Sequence, residues 1–254
     1  MSGHYYDCSS NPFLTTARTP TQAKKIKAYP SVTTILGIQM EDYLHNIWIP
    51  QKICELARQH PEATSKQIMD IKYGYRTSPV DGMPIRSNEF GTAVHARLED
   101  VLTNRITGEG LEENETVWDG WVEAFIDFVD DNDIEIIECE KIAFSDKEKS
   151  AGSIDLLAKW DDKYHLFDYK CRDTKGSGGK FYEKKDCSQL AIESMWIKEE
   201  FGLNYYPGIT SVCICTETQK HYHKNWSKAQ LRRGIKRFRL LRQIYYMDWM
   251  NDYK

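Results

Sequence analysis

The chain has 254 residues, 41% hydrophobic and 12% aromatic, with a formal net charge of −4. That length buries a substantial core, as one large domain or one domain with terminal elaborations, and the charge excludes a protein coated in positive residues. No apolar run approaches the ~18 residues of a membrane span, and MSGHYYDCSS lacks the basic and apolar regions of a secretory leader, so no membrane association is expected.

Residues 1–28 are polar and irregular. YPSVTTIL at 29–36 leads into a helical region reaching about Gln59, anchored by Leu44, Ile47 and Trp48. Pro79, Gly82 and Pro84 mark a loop. Phe90, Val94, Leu98 and Val101 have helical spacing and predict a helix from about Ser87 to Leu102. A second helix, from about Glu115 to Asp130, carries Trp118, Trp121, Phe125 and Phe128. The period then changes. IEIIECEKIAF (134–144) reads as a strand, followed by a hairpin of 152–160 and 163–170. The loop Arg172 to Gly179 ends in GSGGK, which fails as a Walker A loop because the expected glycine is Thr174 and Phe181 follows Lys180. Asp186 opens a helix ending near Phe201-Gly202, and GITSVCICTET supplies a fourth strand. Ser227-x-x-Gln230 is a capping box for a helix to about Trp249, with Leu231, Ile235, Phe238, Leu241 and Tyr245 as its apolar stripe. Helix, three strands, helix, strand makes an α/β sandwich around a small mixed sheet. The expected division is an N-terminal arm and helical region (1–86), a core (87–217) and a basic C-terminal helix (218–254).

The seven cysteines, at 8, 54, 139, 171, 187, 213 and 215, include no C-x-x-C. Reduced thiols in a cytoplasmic setting are expected. Charge is unevenly spread. Lys220 to Arg242 holds nine Lys or Arg and no Asp or Glu. Another cluster comprises Lys170, Arg172, Lys175, Lys180, Lys184 and Lys185. Such stripes either grip nucleic acid in a groove or serve as solvated helix faces.

The hairpin carries the chemistry. Trp160 and Lys163 flank the two-residue loop Asp161-Asp162, and two-residue loops are the commonest joints between antiparallel strands. If Trp160 faces Lys163, then Leu157 faces Leu166 and Asp155 faces Asp168. Lys170 projects to that same face because the strand period is two. Carboxylates so placed repel unless a cation or proton is shared. The bland alternative is a surface hairpin with its charges in water. The flanks oppose it: Leu156, Leu157, Ala158, Leu166 and Phe167 mark strands covered on both faces, where unpaired carboxylates are costly.

The order helix–β–β–β–helix–β, with G-x-x-D on the second strand and D-x-K on the third, resembles the PD-(D/E)XK nuclease superfamily, with its restriction-endonuclease-like αβββαβ core. It looks most like the RecB-like exonuclease branch, which includes many phage enzymes and the mitochondrial genome-maintenance exonuclease. The pieces that carry the resemblance are YPSVTTIL at 29–36, GTAVHARLE at 91–99, AGSIDLLA with FDYK between 151 and 170, and QLAIES at 189–194. They span roughly two-thirds of the chain. By this resemblance, Asp155, Asp168 and Lys170 are catalytic. The metal ligands are His95, Asp155, Asp168 and the backbone carbonyl of Tyr169, and the metal is Mg²⁺ or Mn²⁺. Gln189 matches a glutamine that meets DNA, but the tyrosine expected four residues later is Glu193. The cysteine set of the iron–sulfur members is lacking, so no cluster is implied.

Other residues have two readings each. His95 could be a core histidine on its own sequence context. Glu99 either orients the His95 imidazole through a hydrogen bond or pairs with Arg97 or a nearby lysine. Glu140 either adds a carboxylate or faces solvent. Gln189 could be the N3 residue of a cap begun by Asp186. Arg172, Lys175, Arg232, Lys236 and Arg239 are assigned to the DNA backbone. The expected activity is hydrolysis of DNA phosphodiester bonds, with exonuclease action on single-stranded ends, in a bacterial host or phage-infected cell. A structure- or site-specific endonuclease on the same fold, a degenerate nucleic-acid-binding module and an RNA substrate remain alternatives.

Overall fold

The central hairpin closes on Asp161 and Asp162, which both take left-handed backbone angles, φ 52° and 58°. That pair of angles defines the type I′ turn, whose twist matches that of the strands it joins. Aspartate tolerates the conformation better than most residues. The register follows from the turn: Trp160 pairs with Lys163 and Leu157 with Leu166. This computed structural model describes residues 3–9, 12–43, 49–59, 61, 62, 64, 67, 75–108, 116–174 and 178–249. Leu44, Ile47, Trp48 and Lys175 lie outside the described residues.

The N-terminal segment contains more structure than its polarity predicts. β1 (Tyr5–Asp7), β2 (Phe13–Leu14) and β3 (Tyr29–Pro30) form a small sheet, and α1 (Pro20–Lys25) starts on a Thr19–Gln22 capping box. The helical region that follows contains α2 (Val32–Tyr43) and α3 (Ile49–Gln59), and the Pro79–Pro84 loop joins β4 (Tyr75–Thr77) to β5 (Pro84–Arg86). Next come α4 (Ser87–Thr107) and α5 (Asp119–Asp131). α4 outlasts its apolar stripe and stops at Gly108, whose φ of 70° lets its N–H reach Asn104 O. That is a glycine C-terminal stop.

The main sheet comprises β6 (Glu135–Ser145), β7 (Ser150–Trp160), β8 (Lys163–Arg172), β9 (Gly208–Cys215) and β10 (His221–Asn225), in spatial order β10-β9-β8-β7-β6. Within this sheet β8 and β9 run parallel and the other described pairings antiparallel, and a parallel pair requires a crossover. The crossover is a π-helical turn, Glu183–Cys187, leading into α6 (Ser188–Glu200). Asp186 therefore lies inside an irregular turn and does not cap α6.

Adjacent strand residues feed opposite faces. Leu157, Leu166 and Ile209 pack under α2, α6 and the C-terminal helix α7 (Lys228–Trp249). Leu156, Ala158, Phe167, Tyr169 and Val212 pack under α4 and α5. The architecture is therefore mixed α/β with both sheet faces covered. Ser227 and Gln230 cap α7 reciprocally. Among the described residues, no helix is long and apolar enough to cross a membrane.

Candidate active site

The β7–β8 ladder is paired as far as Leu156–Phe167. Beyond it, the Asp155 carboxylate takes over as acceptor of a backbone N–H. The Tyr169 N–H donates to Asp155 Oδ2 at 3.1 Å, and the Tyr169 hydroxyl donates to Asp155 O at 3.2 Å. Lys170 joins the two aspartates: Nζ lies 2.6 Å from Asp168 Oδ1 and 3.3 Å from Asp155 Oδ2. Burial works to discharge this ammonium, but the two carboxylates outweigh it and raise its pKa. Lys170 thus stands as the cation between them.

Two further elements bring ligands to the same place. His95 on α4 lies with its ring centroid 4.7 Å from that of Tyr169 and bonds the Tyr169 main chain. Burial, then the Lys170 charge, lowers its pKa to about 4, leaving a neutral imidazole at pH 7 with a nitrogen lone pair to donate. Glu140 on β6 takes φ 47° in mid-strand and is skipped by the ladder between Cys139–Leu156 and Lys141–Ile154. Its carboxylate accepts from Ser153 Oγ at 2.5 Å. Burial, assisted by Asp155 and Glu99 and opposed by the Ser153 bond, raises its pKa to about 6. One ligand atom each from His95, Glu140 and Asp155 all lie within 4.8 Å of one another. The structure places Glu140 in the cluster, not in open solvent.

The donor set suits a divalent cation. A nitrogen and carboxylate oxygens converge, and Asp168 Oδ2, on a residue 1% exposed, has no hydrogen-bond partner among the described residues. Burial raises the Asp168 pKa to about 6 against the pull of Lys170. Such a buried, unsatisfied oxygen is costly unless something positive reaches it.

Gln189 on α6 donates Nε2 to Asp168 Oδ1 at 3.2 Å, so it serves the site and not a cap. One turn on, buried Glu193 bonds Gln189, and its pKa is held well above the usual range by burial and then by Asp168 and Asp155. Sequence showed this residue only as a departure from the tyrosine pattern. Glu99 makes neither expected contact among the described residues: Arg97 pairs with Asp119 at 2.5 Å, and the His95 bond goes to Tyr169.

The cations assigned to DNA divide. Arg172 grips buried Asp186 through both nitrogens at 2.8 Å and also bonds Lys180 O. Its charge is neutralised inside the fold by Asp186. Arg239 pairs with Glu148 at 2.8 Å. Arg232 and Lys236 are exposed.

No protein-family model matches the chain, and no curated relative matches it. Among solved structures, it is similar to an alkaline exonuclease from Laribacter hongkongensis, with 13% identity and a TM-score of 0.35 over 61% of this chain and 81% of that one. A likeness that shallow carries no functional argument.

Proposed function

We propose that the protein is a divalent-cation-dependent deoxyribonuclease of the PD-(D/E)XK type, in the manner of the RecB-like branch, acting as an exonuclease on single-stranded ends. The observation that carries this reading is the convergence of His95, Glu140 and Asp155 beside an Asp168–Lys170 pair. The element order α4, β6, β7, β8, α6, β9 supports it.

His95, Glu140, Asp155, Asp168 Oδ2 and the Tyr169 carbonyl would hold the cation. Carboxylates and a carbonyl suit Mg²⁺, and the histidine nitrogen tilts the set toward Mn²⁺. When bound, the cation supplies positive charge to the phosphate oxygens and makes water acidic enough to attack. Lys170 is kept protonated by its two aspartates, so it donates hydrogen bonds to a phosphate oxygen or to the attacking water. Gln189 keeps the Asp168 carboxylate oriented.

Asp155→Asn, Asp168→Asn and Lys170→Ala should each lower the cleavage rate at least about a hundredfold while retaining the fold by circular dichroism. Wild-type rates in both Mg²⁺ and Mn²⁺ for either aspartate variant would falsify the metal assignment. His95→Ala should raise the Mn²⁺ midpoint for activity about tenfold or more. An unchanged midpoint with a lowered Tm would make His95 a core histidine. End-labelled linear DNA, covalently closed circles and a matching RNA, each with Mg²⁺ or Mn²⁺, test the reaction itself. Loss of linear DNA with circles intact is expected. Nicked circles would show an endonuclease, RNA degradation would reassign the substrate, and no cleavage at all would leave a binding role.

A further inference from the structure

Apart from the carboxylate cluster, α7 and the segment entering β9 border an open cleft of about 340 Å³, lined by Tyr206, Arg232, Ile235, Lys236, Arg239, Leu240 and Gln243. Ile235 is buried against the core, which fixes how the helix is turned. Arg232 and Lys236, one turn apart, consequently project together beside the cleft. Both are exposed, and among the described residues neither has an ion-pair partner. Arg239, by contrast, is answered by Glu148. Tyr206 stands 41% exposed. Its backbone is held close to α6, since Ser194 Oγ donates to Pro207 O at 2.9 Å, and Lys198 Nζ lies 5.5 Å from the Tyr206 ring centroid. Unanswered positive charge beside an aromatic face is complementary to a strand of phosphates and bases.

We propose that this cleft is an exosite for the single-stranded nucleic acid that the active site hydrolyses. Arg232 and Lys236 contact two phosphates, and Tyr206 offers its ring to a base. The proposal rests on the nuclease reading and adds a second point of grip. Its offset from the chemistry follows from α6: Ser194 and Lys198 come five and nine residues after Gln189, roughly 8–14 Å along the axis at ~1.5 Å per residue. At ~3.4 Å per stacked phosphate, that is about two to four nucleotides. Short strands end before the cleft, and longer ones reach it. The grip reads no sequence, because phosphate contacts position a strand without specifying its bases.

The test is fluorescence anisotropy in EDTA, with labelled oligodeoxynucleotides of about three and about twelve nucleotides, on wild type, Arg232→Gln/Lys236→Gln, Tyr206→Ser and Tyr206→Phe. Wild type should gain affinity with length. The double variant should lose about tenfold on the longer strand, equally on unrelated sequences, and its salt slope should fall by about 1.4, at ~0.7 per phosphate. Tyr206→Phe should keep the affinity that Tyr206→Ser loses. Unchanged affinity and salt slope in the double variant would overturn the exosite. So would a change in sedimentation without a change in binding, which would show that Leu240, Ile244 and Met247, exposed on the same helix, pair copies of the chain. Because binding is read without hydrolysis, length-dependent binding by a protein that cleaves nothing would uphold the cleft and sink the nuclease reading.

Discussion

Glu140 takes a left-handed backbone angle, φ 47°, in the middle of a strand, a conformation that costs an L-residue about 1–2 kcal/mol. Such strain persists where the surroundings fix it, and it clusters at functional sites. Here the left-handed backbone and the Ser153 bond hold the carboxylate toward His95 and Asp155. The carboxyl titrates near its ordinary value of 4.5 in an unfolded chain and near 6 in the folded one, so the folded state binds this proton more tightly. The resulting stability is fully present below pH 4.5 and is lost as pH rises through about 6. In EDTA, Glu140→Gln should therefore melt a few degrees above wild type at pH 7.5, with the gap closing by pH 5. Saturating Mn²⁺ should reverse the order at pH 7.5, since the wild-type carboxylate then has a partner and ligand binding stabilises the folded state. Equal melting temperatures across that range would mean that Glu140 is not under electrostatic stress.

Among the elements, the hairpin was legible because its arithmetic is local: a two-residue turn fixes which residues oppose as far as Leu156–Phe167, and beyond that pair it is Lys170 that holds Asp155 and Asp168 together. The α4 histidine was legible only through the motif resemblance, since helical spacing alone also allows a core residue. Glu140 was half legible because the register shift between Ile136 and Glu138 breaks the period-two rule that would have aimed it. The partner of Arg172 was hidden for a different reason. Asp186 looks like a helix cap in sequence, but the π-helical turn carries it inward, where it accepts from Arg172 and from the Tyr182 N–H at 2.8 Å. That turn launches α6 and so sets where Gln189 meets Asp168. Breaking a buried ion pair leaves an uncompensated charge and costs about 3–5 kcal/mol. Arg172→Ala should accordingly lower Tm sharply in the absence of any nucleic acid. A variant that melts like wild type but binds DNA more weakly would return Arg172 to the substrate-gripping set.

At the scale of the molecule, the three sequence segments meet in one core. Tyr5 from the N-terminal arm, Leu157 and Leu166 from the sheet, and Phe238 and Tyr245 from α7 belong to the same buried cluster, and the Tyr5 and Tyr245 hydroxyls are 2.9 Å apart. α6 is sandwiched between the sheet and α7, so the helix that orients Asp168 is braced from outside. The brace is tightest at Gly234, where an added Cβ would sit 2.9 Å from Ala191 Cβ and 3.1 Å from Cys187 O. No flexible side chain is there to yield, so Gly234→Ala must push α7 and α6 apart, at an overpacking cost of about 1–3 kcal/mol. Gly37 in α2 provides the control, because a Cβ there meets nothing within 4 Å and alanine favours a helix by up to about 1 kcal/mol. Gly234→Ala should lower both Tm and the rate of the proposed DNA hydrolysis, the latter through displacement of Gln189. Gly37→Ala should hold or raise Tm and leave hydrolysis unchanged. If Gly234→Ala keeps the wild-type Tm and rate, the α6–α7 crossing is slack, and the placement of Gln189 must be set by the π-helical turn alone.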